Sequence, residues 1–275
     1  MKRAAGTRKV GHTGTLDPFA TGLLIALVGS ATRCARYFNG LSKRYLTTIR
    51  FGTATDTDDA TGAVVREAEL PTEAAIGAAL GGFYGTLEQL PPAYSAVHVN
   101  GRRAHEIARS GETPDVRPRS VTVYRLDLRD LVVRDGLVAE ASLDIECSAG
   151  TYIRSIARDL GAALASAAHA ATLRRTAIGA FGLDRARPID DLSLPDDLCD
   201  LASVLRELPG LELVEVDAGD AHRVRNGRRI PVSELDLPEG PGRYVFVHDG
   251  RAIAVGRAEH GTVAYDLVLP AEAGA

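Results

Sequence analysis

Very little of this 275-residue chain belongs to the classes that cysteine, lysine or long apolar runs would announce. Its three cysteines, Cys34, Cys147 and Cys199, are far apart. They show neither the pair spacing of a disulfide framework nor the ligand spacing of a metal site, and free thiols suit a reducing cytoplasm. No apolar run approaches the roughly 18 residues that span a bilayer. The opening residues Met1 to Gly6 carry charge with no apolar stretch behind it, which excludes a signal peptide. Internal repeats are missing, as is low-complexity sequence beyond a short tail from Ala271 that ends in Glu272 and small residues. Only three residues are lysine, so arginine carries most of the positive charge. The remaining composition, 45% hydrophobic, is enough for a sizeable core.

The net charge of −4 conceals an asymmetry. Residues 1–50 hold nine basic residues, among them Lys2, Arg8, Lys9, Arg33, Arg36, Lys43, Arg44 and Arg50, against the single acid Asp17. Further arginines gather at Arg102, Arg103 and Arg109, and at Arg154, Arg158, Arg174 and Arg175. Such clustering fits a polyanionic partner, but it fits solvated faces equally well.

Periodicity divides the chain. Leu23 to Val28 reads as a buried strand between glycines, and Ser30 as the cap of a helix running to Phe38. Residues 44–52 alternate like a strand, and Thr53 to Gly62 forms a Thr/Asp/Gly loop. Helices are predicted at Ala74 to Phe83, at His105 to Ser110, and at Ile153 to Ala168. Val121 to Leu128 and Leu137 to Cys147 alternate as antiparallel strands. Mixed elements without a βαβ rhythm predict an α+β fold on a mainly antiparallel mixed sheet. Beyond Leu208-Pro209-Gly210, short strands between Gly, Pro and Asp turns indicate a small β domain. The predicted division is therefore 1–210 and 211–275.

The segment Gly11-His12-Thr13-Gly14-Thr15-Leu16-Asp17-Pro18 holds the most chemistry. It is no phosphate-binding P-loop, because no Gly-Lys-Ser/Thr follows. Asp17 before Pro18 is either the cap of a helical turn or an anionic catalytic group in a basic region. Local spacing leaves both open.

The segment continues as Phe19-Ala20-Thr21-Gly22-Leu23-Leu24, and the whole resembles the active-site motif of the bacterial tRNA pseudouridine-55 synthases, the TruB family. Four more blocks resemble that family in the same order. They are Lys43-Arg44-Tyr45 with Phe51-Gly52 and Thr55 to Gly62; Gln89 to Ala96 with Asn100 to Ala104; Cys147 to Ser155; and Leu173-Arg174-Arg175-Thr176.

The resemblance implies a pseudouridine synthase domain at 1–210 and a PUA-like RNA-binding β domain at 211–275. It implies isomerisation of uridine 55 in the T-loop of tRNA, with no cofactor and no metal, in a cytoplasmic monomer. Asp17 matches the essential aspartate, which attacks the ribose anomeric carbon or removes the 2′ proton. Arg154 matches its orienting arginine, and Tyr45 the tyrosine that stacks on the target base near the departing C5 proton. Leu173, read as helical, matches an apolar residue against the base. Tyr152 and Asp59 match pocket residues, and Lys43 matches a substrate contact. His12 matches a histidine that fills the gap left by the flipped uridine.

The family's leading strand-turn-helix segment is absent before Lys9, and His98, His105 and Ala149 stand where Lys, Tyr and Lys are more usual. A catalytically inactive RNA-binding or tRNA-folding protein, and a relative guided by small RNAs, are the rival readings. The intact Asp17, Tyr45 and Arg154 set favours an enzyme. The ending at Ala275, without a basic tail, argues against the guided relative.

Overall fold

The computed structural model describes residues 3, 5–235, 237 and 242–270. Lys2 and the tail from Ala271 lie outside the described residues. The chain forms two compact units, one of Leu16–Leu23 and Gly40–Asp184, the other of Met1–Thr15, Leu24–Asn39 and Arg185–Ala275.

The first unit is built on a seven-stranded sheet. Its order is Phe181–Gly182, Ala168–Ile178, Lys43–Phe51, Leu137–Cys147, Arg119–Arg134, Gly85–Gln89, and every neighbour on this path is antiparallel. Thr21–Gly22 joins Ala168–Ile178 as a short parallel pair. One sheet face buries Ile49, Phe51, Leu143, Ile145 and Leu173 against Ile153, Ile156 and Leu160 of the helix Ile153–Ala163. The opposite face carries charge. Asp144 accepts from Arg44, Arg125 and Arg129 at 2.7, 3.1 and 2.6 Å, and Arg50 pairs with Glu140 at 2.8 Å.

That helix ends five residues before the predicted Ala168. Ala165 turns into the left-handed region at φ 52°, and the Ser166 amide closes back on Gly161 O at 2.9 Å. The next strand returns so closely that a Cβ on Gly161 would lie 2.6 Å from the Ala168 amide nitrogen. Ala168–Ile178 is consequently strand, and Leu173 is a strand residue rather than a helical one.

In the second unit, Val10–His12 pairs with Ala26–Val28, so the predicted buried strand shrinks to three residues and Leu24 is exposed. Gly29–Tyr37 is a 3-10 helix rather than an α-helix. Its cap position is Val28, so Ser30 is not the cap. The helices Leu201–Arg206 and Ala218–Arg225 accompany a four-stranded sheet of Glu212–Glu215, Arg243–His248, Arg251–Glu259 and Thr262–Val268. Val214, Val224, Tyr244, Phe246 and Ile253 form its core. Arg33 donates to Val268 O at 2.6 Å and Arg36 to Asp266 O. Two exposed cations of the basic N-terminal stretch therefore already donate to backbone carbonyls of the same unit. No described helix is long and apolar enough to cross a membrane.

Candidate active site

Asp17 lies in a turn closed by the Ala20 amide on Asp17 O at 2.9 Å, and no helix follows Pro18. Its carboxylate does not cap backbone. Both oxygens accept from one guanidinium, Arg154 Nε to Oδ2 at 2.9 Å and Nη2 to Oδ1 at 3.0 Å. A planar fork matches a carboxylate in this way and fixes its direction.

The fork is itself held. Arg154 sits in the first turn of its helix, just after Tyr152, whose amide and carbonyl are both bonded by the Gln89 side chain at 2.8 and 3.0 Å. Arg154 Nη1 donates to Thr57 O at 2.8 Å and lies 3.4 Å from Asp59 Oδ2, while Nη2 also donates to Tyr94 O at 3.1 Å. Asp59 Oδ1 in turn accepts from the Thr57 hydroxyl at 2.8 Å and from the Thr61 hydroxyl and amide at 2.6 and 3.0 Å. The arginine side chain is 4% exposed and the Asp17 side chain 27%. A buried cation between two carboxylates thus presents one of them, Asp17, to solvent.

Tyr45 is half-buried, on the strand Lys43–Phe51, directly opposite Arg175. Burial pushes its phenol up from the usual tyrosine value, and the Arg175 guanidinium beside it pulls the other way. Leu173 is buried in the core on the same strand as Arg175. The Tyr152 ring carries the Arg119 guanidinium 5.5 Å from its centroid.

The structure brings Asp17, Arg154 and Asp59 into one network, with Tyr45 near enough to Asp17 for its charge to act on the phenol. It departs from the sequence reading at Lys43. That side chain is buried with Nζ on Leu41 O at 2.6 Å, so its charge does not face a solvated phosphate. Burial lowers the lysine's pKa, and Arg175 lowers it further. Asp59 is 4% exposed and braces Arg154 rather than lining open space. His12 belongs to the other unit, where it is exposed, with Nδ1 3.4 Å from the Gly14 amide nitrogen. Sequence reasoning missed the roles of Gln89, Thr57 and Arg175. Arg175 had a signal: strand alternation puts it on the face of Leu173, but the segment reads as helix until its return beside Gly161 is seen.

The same sheet architecture occurs in solved structures. The chain superposes on a structure of an H/ACA RNP bound to a substrate RNA containing 2′-deoxyuridine, with TM-score 0.70 and 19% identity, covering 99% of this chain and 80% of that one. A Cbf5-Nop10-Gar1 complex gives TM-score 0.68 at 22% identity, covering 97% and 77%.

Sequence comparison is more specific. Residues 2–153 match the TruB family pseudouridylate synthase N-terminal domain. A tRNA pseudouridine synthase B of Arthrobacter sp. (strain FB24) is 42% identical over 262 residues, which is 93% of this chain and 85% of the relative. The Thermobifida fusca (strain YX) protein of the same name is 40% identical over 267 residues, 95% and 89%. The chain belongs to the TruB family of pseudouridylate synthases.

Proposed function

We propose that this protein isomerises uridine 55 in the T-loop of tRNA to pseudouridine, with Asp17 as the catalytic carboxylate. The observation that carries the reading is the bidentate Arg154–Asp17 pair, in which the cation is buried and the carboxylate remains open to a ligand. Family membership and relatives named for tRNA pseudouridine synthesis support the substrate class.

Asp17 attacks C1′ of the ribose or takes its 2′ proton while the N1–C1′ bond breaks. The freed uracil turns and C5 bonds to C1′ as the Asp17–C1′ bond breaks or the 2′ proton returns; C5 then loses its proton and N1 gains one. Atoms balance within the substrate, so the step consumes no co-reactant. Arg154 holds the carboxylate at the sugar, and Tyr45 stacks on the base near the departing proton. Leu173 and Tyr152 contribute apolar and aromatic surface, Asp59 acts through Arg154, and Lys43 through the strand that carries Tyr45. His12 fills the gap in the T-loop stack when the uridine flips out.

Residues 1–210 form the catalytic portion in this reading, and 211–275 an RNA-binding PUA-like β domain. Recognition relies on the shape and splayed bases of the T-stem-loop. The protein acts as a cytoplasmic monomer, where its three free cysteines stay reduced.

The test is incubation with unmodified tRNA and mapping of pseudouridine at single-nucleotide resolution. A single new site at the T-loop uridine is expected. No conversion would overturn the reading, and conversion at another uridine would overturn the assigned position.

A further inference from the structure

Arg154 and Arg175 are the two buried arginines among the described residues, and the reaction as written uses only the first. Arg175 is 2% exposed, although burying a guanidinium is costly unless its donors are satisfied. Its position answers that cost. Nε donates to Leu23 O at 2.8 Å, and its own backbone oxygen accepts from the Leu23 amide at 2.8 Å. Both bonds end on the Leu16–Leu23 segment that carries Asp17.

Gly22 permits the approach: its φ is +106°, and a Cβ there would lie 2.2 Å from Arg175 O. Across the sheet, Arg175 faces Tyr45 in the antiparallel register, with its guanidinium close enough for its charge to act on the tyrosine hydroxyl. One residue therefore touches both sides of the site, the Asp17 segment through Leu23 and the aromatic side through Tyr45.

We propose that Arg175 is a positioning residue of this site, locking the Tyr45 hydroxyl and the Asp17-bearing segment into one frame. The inference rests on the reading of Tyr45 as the side chain beside the departing C5 proton. A phenol in that place needs its oxygen held still and its negative charge supported as the proton moves, and a buried guanidinium supplies both. The other ionisable groups acting on Tyr45 are the Cys147 thiol, which burial pushes up to about 12, and the Asp17 carboxylate. Lys43, on Tyr45's own strand, is close enough to Arg175 for the two charges to repel. Arg175 is thus the cation that favours the tyrosinate form.

The experiment pairs Arg175→Gln with Tyr45→Phe. Tyr45 ionisation is followed by NMR of tyrosine labelled with carbon-13 at Cζ, the resonance being assigned by its loss in Tyr45→Phe. Removing Arg175 should move that ionisation to higher pH. Single-turnover conversion of tRNA should slow by about tenfold or more, with tRNA affinity within about threefold of the parent. In the Tyr45→Phe background the same change should slow the reaction by less than about twofold further, because the two residues act as a unit.

An unmoved Tyr45 ionisation, or slowing that multiplies in the double variant, would overturn the proposal and leave Arg175 a core residue only. If Arg175→Gln does not fold, Arg175→Lys carries the test. It keeps the charge but not the fork, so a slowed reaction with near-parental Tyr45 ionisation is expected, and an unchanged rate would overturn the proposal. The ionisation measurement needs no substrate. Failure of the parent protein to convert tRNA would therefore refute the functional reading without deciding the role of Arg175.

Discussion

Arg154 holds both carboxylate oxygens of Asp17 from 137 positions further along the chain, at 2.9 and 3.0 Å. Neither residue's neighbours in sequence dictate this pairing. It exists because a turn and a helix start converge beside one sheet.

Asp17→Asn should abolish pseudouridine formation while leaving tRNA binding within about tenfold. The amide keeps the shape of the carboxylate but is neither nucleophile nor base. Turnover at even a tenth of the parental rate would remove Asp17 from the chemistry.

Arg154→Lys should lower single-turnover conversion by about a hundredfold, because a point charge cannot reproduce the fork and a small misplacement of the reacting group is that costly. Arg154→Ala should also destabilise the protein by about 3 kcal/mol or more, since the buried Asp59 carboxylate loses its cation. A lysine variant with the parental rate would mean that the fork does not aim Asp17.

Asp144→Asn should destabilise the protein by about 2 kcal/mol at neutral pH. This is less than the figure for a fully buried pair, because its arginine partners are more than a third exposed and partly screened. Hydrogen bonding from Arg44, then from Arg129, holds the Asp144 carboxyl well below the usual carboxylate range. A depressed folded value contributes stability that is fully present above the unfolded value of about 3.9 and is lost as pH falls below it. Urea unfolding should therefore show the gap between parent and variant closing in acid. A gap that stays constant down to the acid transition would contradict the electrostatic origin.

Gly22→Ala should cost about 3 kcal/mol and slow the reaction. Alanine at φ +106° is strained, and its Cβ would collide with backbone at Arg175 rather than with a movable side chain. Thermal unfolding at the parental temperature would show that the Leu16–Leu23 segment can shift freely.

His12→Ala separates stacking from structure. If His12 replaces the extruded uridine, its loss should slow single-turnover reaction on a folded T-stem-loop by up to a few kcal/mol. The effect should be much smaller on a substrate whose uridine is already unstacked. Equal slowing on both substrates would make His12 a structural turn residue.

Much of the sheet was legible in advance because its signals are local. Residues 44–52 and 137–147 alternate apolar and polar positions, and the structure places strands at Lys43–Phe51 and Leu137–Cys147. The Asp-Thr-Asp-Asp-Ala-Thr-Gly run predicted a polar loop, and its threonines brace Asp59. The helix predicted through Ala168 failed because alanine suits helix by propensity, whereas packing of Gly161 against Ala168 set the end of the helix. Helix assignment there also hid the alternation that separates buried Leu173 and Arg175 from exposed Arg174.

The sequence by itself determined the family, through five ordered blocks, and with it which carboxylate, arginine and tyrosine to examine. Those identities are carried by residue type and spacing, which need no coordinates. Only the tertiary structure decided which charges are available. Arg44 and Arg50 look like surface cations in sequence but pair with Asp144 and Glu140 across the sheet, and Lys43 is buried. Arg175 likewise appears as one more basic residue until the register sets it opposite Tyr45 and against Leu23. The partners of Arg44, Arg50 and Arg175 lie 90 or more positions away along the chain, so no local reading of charge can reveal them.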